Sequence, residues 1–195
     1  MGERHIGKGI SIRKDQMISR TIIAGSGGQG IMLLGKVLAM AAMEENKFVT
    51  WLPSYGAEVR GGTAYCMLTI SDQEIGSPYV DKADTLIVMN APSLKKFSAR
   101  LENKGLLIIN SSLASAAPGG KADILEYPFT DLAIKLGNIK VANMVALGCF
   151  ISRKKVVSPK SVGQVISDIA GESRKSLVEI NKKALETGIR LRGKK

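Results

Sequence analysis

Short apolar runs alternate with stretches of helical periodicity along this 195-residue chain. Arg20–Ala24 reads as a strand, and Gln29–Glu45 as a long helix whose apolar positions 31, 34, 37, 38, 41 and 42 share one broad face. Phe48–Leu52 is a second strand stopped by Pro53, and 54–62 is a polar, glycine-bearing loop. Thr63–Ile70, Asp84–Met89 and Gly105–Asn110 read as further strands, and Pro92–Asn103 as a helix with proline near its start. A loop rich in Ser, Ala, Pro and Gly (111–120) precedes a short strand, Asp123–Tyr127. Helices follow over 129–136, 141–152, from a Ser158-Pro159 cap to Ala170, and over 172–188. The alternation predicts an α/β fold, a three-layer α/β/α sandwich with a mostly parallel, Rossmann-like sheet. The organisation it predicts is a charged leader (1–19), one domain (20–190) and a basic tail (191–195).

The first strand breaks into Gly25-Ser26-Gly27-Gly28-Gln29-Gly30 before the long helix, which satisfies G-x-G-x-x-G spacing with an additional glycine. A turn this tight needs residues without Cβ, and the helix behind it aims unpaired N–H groups and partial positive charge at the loop. That arrangement suits a phosphate. The motif alone indicates a doubly wound domain and names no reaction. A dinucleotide site also needs an acidic residue at the end of the second strand, where this chain reads Val49-Thr50-Trp51-Leu52-Pro53. Residues 30–37 imitate a P-loop, but Val37 replaces the required Ser/Thr and the run lies inside a helix, leaving Lys36 as a solvated helix residue.

Composition narrows the classes. With 45% hydrophobic and 23% charged residues the chain reads as an ordinary globular domain, and no apolar run approaches the length of a membrane span. Residues 1–20 are charged throughout and lack the apolar centre of a signal peptide, so a cytoplasmic location is expected. The formal charge of +11 resides at the ends, because residues 21–152 hold eleven basic and eleven acidic side chains. The ends have few aromatics and no nucleic-acid motif, so neither nucleic acid nor membrane is an expected partner. Two cysteines, Cys66 and Cys149, lie far apart without a C-x-x-C pattern, which argues against a metal or iron–sulfur site built by this chain alone. His5, the single histidine, sits in the charged leader, so no nucleophile has a supported base. Glu44 and Glu45 read as solvated residues at a helix end.

A second unusual segment, Pro53 to Thr63, gathers Ser54, Tyr55, Glu58 and Arg60 ahead of Gly61 and Gly62. It follows a sheet strand, so it should border the same crevice as the glycine turn. Arg60 either grips a carboxylate or phosphate, or pairs with Glu58 and fixes the loop.

Together, Gly25–Ile31 and Pro53–Ala64 closely resemble the gamma subunit of 2-oxoacid:ferredoxin oxidoreductases, and Val141–Gly148 is similar to that family's third signature. The wording of the second segment looks closest to the 2-oxoglutarate or branched-chain 2-oxoacid type. Tyr65 departs from the small polar residue expected there. The resemblance implies a complex that decarboxylates a 2-oxoacid with coenzyme A, giving acyl-CoA, carbon dioxide and reduced ferredoxin. It implies thiamine diphosphate, Mg2+ and iron–sulfur clusters on partner alpha, beta and, where present, delta subunits, with no cofactor on this chain alone. By that likeness Gly25, Gly27, Gly28, Gln29 and Gly30 form a phosphate-facing turn. Ser54, Tyr55, Glu58, Arg60, Gly61 and Gly62 line an inter-subunit mouth, and Asn143 joins them unless it only satisfies a helix start. The chain itself would be non-catalytic. The alternative is a free-standing nucleotide- or CoA-binding module.

Overall fold

Strand β1 (Ile18–Ser26) forms the middle of a six-stranded sheet because Thr21, Ile22, Ile23 and Ala24 are small, apolar or β-branched and can be buried on both faces. The computed structural model describes residues 17–54, 63–115, 121–170 and 175–191, so Tyr55, Glu58, Arg60, Gly61, Gly62 and His5 lie outside the described residues. The other strands are β2 (Phe48–Ser54), β3 (Thr63–Ser71), β4 (Ala83–Val88), β5 (Leu101–Asn110) and β6 (Asp123–Tyr127), in the order β2-β3-β1-β4-β5-β6. Pairing is parallel from β1 through β6, and β3 alone runs against its neighbours. The mostly parallel sheet expected from the alternation is thus present.

The chain leaves β1 in one direction and β4 in the other, which puts helices α1 (Ile31–Glu44) and α2 (Ala91–Phe97) on opposite faces. Helices α3 (Phe129–Lys135), α4 (Ala142–Lys154), α5 (Pro159–Ala170) and α6 (Lys175–Ile189) all gather on the α1 side. The sandwich is therefore lopsided. On its thin side the sheet is covered by α2 and the 72–82 connection, which buries Val80 and Phe97. On its thick side α4 is buried continuously from Ala142 to Ile151, since the sheet lies beneath it and α6 above. Where α4 crosses α6, Gly148 and Gly188 meet backbone to backbone.

Three expectations are corrected. The helix predicted over Pro92–Asn103 ends at Phe97, and after a 3₁₀ turn the chain enters β5 at Leu101 rather than Gly105. The polar Glu102-Asn103-Lys104 run that mimicked a helix surface is an irregular strand start: β4 pairs Ala83 with Leu101 and Thr85 with Leu106, and Lys104 takes φ +64°. Pro53 lies within β2 instead of ending it, which an edge strand tolerates because one row of its N–H groups has no partner strand among the described residues. Glu45 is no solvated helix end. Its Oε1 accepts the Ser158 amide (2.6 Å) and the Ser161 hydroxyl (2.8 Å), and Lys47 lies 3.8 Å from its carboxylate, so the end of α1 is tied to the start of α5. Burial pushes the Glu45 pKa up, but these hydrogen bonds and the Lys47 charge outweigh it and hold the carboxyl below its usual value.

Candidate functional site

The carboxyl ends of β1 and β4 diverge to opposite faces, so a crevice opens between them, the place where ligands of such sheets bind. Here the Gln29 side chain spans it. Its Oε1 accepts the Ser26 amide (2.7 Å) and its Nε2 donates to the Met89 carbonyl (3.2 Å), while the Gln29 amide returns to the Ser26 carbonyl (3.2 Å). Gly25 makes this possible: a Cβ there would fall 2.7 Å from Gln29 Oε1 and from Ile31 Cδ1. Gly30, at φ +70° and ψ 26°, is the left-handed residue that starts α1, and a Cβ on it would collide with the Asn143 amide.

Asn143 is buried at the start of α4. It donates from Nδ2 to the Gly30 carbonyl (3.1 Å) and accepts the Met144 amide (2.9 Å). Both side-chain amides picked out from the sequence therefore hold the turn in shape. Gly27 and Gly28 instead face outward, with open space where a Cβ would be, and among the described residues no side chain caps α1. With no acidic residue in the first turn of α1, the approach to its N-terminus suits a negative group.

Two asparagines that sequence reasoning missed complete the edge. Asn90 caps α2 by accepting the Ser93 amide (3.0 Å) and donates to the Ser26 hydroxyl. Asn110, fully buried, donates to the Met89 carbonyl (3.2 Å) and to Thr130 Oγ1 (2.8 Å), and accepts the Thr130 amide (3.2 Å). The signal was an Asn directly after each apolar strand run. Beside this amide network lies a pocket of about 150 Å³, lined by Gly28, Gln29, Met89, Thr130 and Lys140, with exposed Leu113 and Ile139 at its rim.

Ser54 ends β2 opposite Tyr65, and Thr63 opens β3 opposite Ser26. Both anchors of the 55–62 segment thus stand on the sheet edge that carries the glycine turn. Tyr65 faces the thin side, where its ring packs 4.8 Å from Phe97 with Lys96 above it, which accounts for an aromatic at this position.

A model of the pyruvate ferredoxin/flavodoxin oxidoreductase family matches residues 20–191. The chain belongs to this family. It is 36% identical to the ketoisovalerate oxidoreductase subunit VorA of Methanothermobacter thermautotrophicus over 171 residues, which cover 87% of this chain and 35% of VorA. It thus spans about a third of the length of that relative. It is 34% identical to the 2-oxoglutarate synthase subunit KorC of Archaeoglobus fulgidus, covering 87% of this chain and 85% of KorC. The gamma subunit of a keto/oxoacid ferredoxin oxidoreductase from Geobacter sulfurreducens superposes with a TM-score of 0.75 at 30% identity, covering 87% of this chain and 95% of that one. The domain is thus similar over nearly its whole length to gamma-type chains of 2-oxoacid oxidoreductases.

The cysteines of this oxidoreductase-family chain do not fit a cluster. They sit on separate elements in apolar packing, and burial pushes Cys66 up to about 11 and Cys149 up to about 12, so neither is a thiolate near neutral pH. Among the described residues no three His, Cys, Asp or Glu side chains converge on a metal position. No helix among them is long and apolar enough to cross a membrane. Lys36 is exposed on α1, away from any phosphate role.

Proposed function

We propose that this chain is the non-catalytic gamma subunit of a cytoplasmic complex that decarboxylates a 2-oxoacid, 2-oxoglutarate in the first instance. The acid and coenzyme A become acyl-CoA and carbon dioxide, and the two electrons released reduce ferredoxin. Thiamine diphosphate with Mg2+ supplies the carbanion chemistry from partner alpha and beta subunits, and iron–sulfur clusters there or on a delta subunit carry the electrons. The observation that carries this reading is the family match over residues 20–191, with relatives of the KorC and VorA kinds.

This chain contributes a shaped wall. Gly27 and Gly28 with the uncapped start of α1 offer backbone N–H groups, and Lys140 a nearby cation, to the phosphates of coenzyme A. Leu113 and Ile139 beside them are about half exposed at one rim, and suit contact with a partner subunit. Ser54, Tyr55, Glu58, Arg60, Gly61 and Gly62 belong to the same mouth by their position in the chain. Holding coenzyme A at this mouth keeps its thiol near the reacting carbon and lowers an entropic barrier. Asn143 and Gln29 serve the site by holding the turn.

The test is a complex assembled from coexpressed subunits and assayed with several 2-oxoacids. Arg60→Ala and Lys140→Ala should each raise the Michaelis constant for coenzyme A severalfold while the subunits still assemble. An unchanged constant with lost assembly would make the mouth an interface only. Turnover of a 2-oxoacid by the purified chain alone would end the proposal.

A further inference from the structure

We infer that the cleft between α2 and the β5–β6 half of the sheet is the seat of an acidic, amphipathic helix from another subunit, an assignment that rests on the gamma-subunit reading above. The cleft measures about 620 Å³ and lies on the thin side of the sheet. Leu94, Leu107 and Ile124 give it an apolar floor, and Lys95, Lys104 and Lys121 stand around it against one carboxylate, Glu102.

Its origin is topological. Parallel neighbours are joined by crossovers of a dozen or more residues, usually a helix laid on the sheet. Helix α2 does this between β4 and β5. Between β5 and β6 the described residues of 111–122 form no helix, and Ile124 is 36% exposed near the start of β6. A helix about 10 Å across, with an apolar stripe toward Leu107 and Ile124, adds to the single described helix, α2, on this side.

The lysines decide the chemistry of its flanks. Three ammonium groups against one carboxylate repel a basic segment, such as either end of this chain, and attract Asp and Glu. The same excess of positive charge disfavours a second copy of the chain. The relatives point to the source. In VorA the stretch matched by this chain is 35% of a longer polypeptide, so a gamma-type domain there has a covalently attached neighbour. The counterpart of that neighbour is the partner assigned to the cleft.

The test uses the assembled complex beside the free chain. Brief acetylation followed by peptide mass spectrometry should show Lys95, Lys104 and Lys121 at least fivefold less reactive in the complex. Carbodiimide, which joins ammonium groups directly to carboxylates, should link at least one of them to Asp or Glu residues spaced three or four apart in one partner segment. Lys95→Glu with Lys121→Glu, both exposed and tolerant of change, should weaken partner binding at least tenfold. If the complex forms with these lysines fully reactive and the double variant binds normally, the cleft assignment fails and the gamma reading stands. Links only between two copies of this chain, or protection of the lysines in the free chain by a small anion, overturn it as well. If no complex forms with oxidoreductase subunits at all, the functional reading fails and this assignment falls with it.

Discussion

Replacing Gly148 by alanine tests the packing of the thick side directly. In an open helix position the change from Gly to Ala is worth about 1 kcal/mol in favour of Ala. At Gly148 the new Cβ would strike the Leu185 carbonyl and lie 2.9 Å from the Ile189 nitrogen and 3.0 Å from the Gly188 Cα. These are backbone atoms, which cannot swing aside as a side chain would, so α6 must lift from α4 by on the order of 1 Å. Overpacking of this kind, with loosened contacts at the buried Ala184 and Leu185, costs about 3 kcal/mol. Less the helix-propensity gain, the net loss is about 2 kcal/mol, or a fall of roughly 4–8 °C in melting temperature for a chain of this size. The control is Gly163→Ala in α5, where no atom lies within 4 Å of the new Cβ, and where a rise of about 1–4 °C is expected. Melting both variants by circular dichroism at 222 nm decides the matter. If Gly148→Ala melts at or above the parent, the close helix crossing is not real. Gly188→Ala should behave like Gly148→Ala, and the double variant should lose less than the sum, since one separation relieves both clashes.

Glu45→Gln should lower stability by about 1 kcal/mol at neutral pH, by weakening the bonds to Ser158 and Ser161. Because the folded pKa of Glu45 lies below its usual value near 4.5, that contribution is present above this pH and is lost as pH falls through the folded pKa. Urea titrations of parent and variant should therefore converge in acid, and a difference that persists there would contradict the assignment. Cys66 and Cys149 should resist a thiol-specific disulfide reagent at pH 8 in the folded chain and react at once in denaturant, because burial holds their pKa values at about 11 and about 12. Gln29→Ala takes the acceptor away from the Ser26 amide and leaves the Met89 carbonyl with the Asn110 donor but without the Gln29 one. It should cost about 1–3 kcal/mol and raise hydrogen exchange at the Ser26 amide, and unchanged exchange would show that Gln29 does not hold the turn.

Much of this architecture was legible because periodicity and turn chemistry are local. The strand, glycine turn and helix of 20–45 could be read in order, and Ser158 does cap α5 by accepting the Ser161 amide at 3.1 Å. What was not legible depends on distant partners. Gln29 and Met89 are 60 positions apart, and Asn143 and Gly30 are 113 apart, so no local rule shows that these amides brace the turn rather than reach a ligand. Glu45 looked like solvated charge because the amide it caps lies 113 residues further on. The polar start of β5 was read as helix because an irregular strand end carries charge much as a helix surface does. Leu113 and Ile139 sit in polar surroundings in the sequence, and only the fold brings them to one rim.

Pro53 closes the last stretch of edge strand β2 next to the 55–62 segment. Lacking an N–H, it gives this edge strand one backbone donor fewer just before the 55–62 segment begins. A variant that restores an N–H at this position should therefore make the edge more prone to fibre-like growth while leaving the interior untouched.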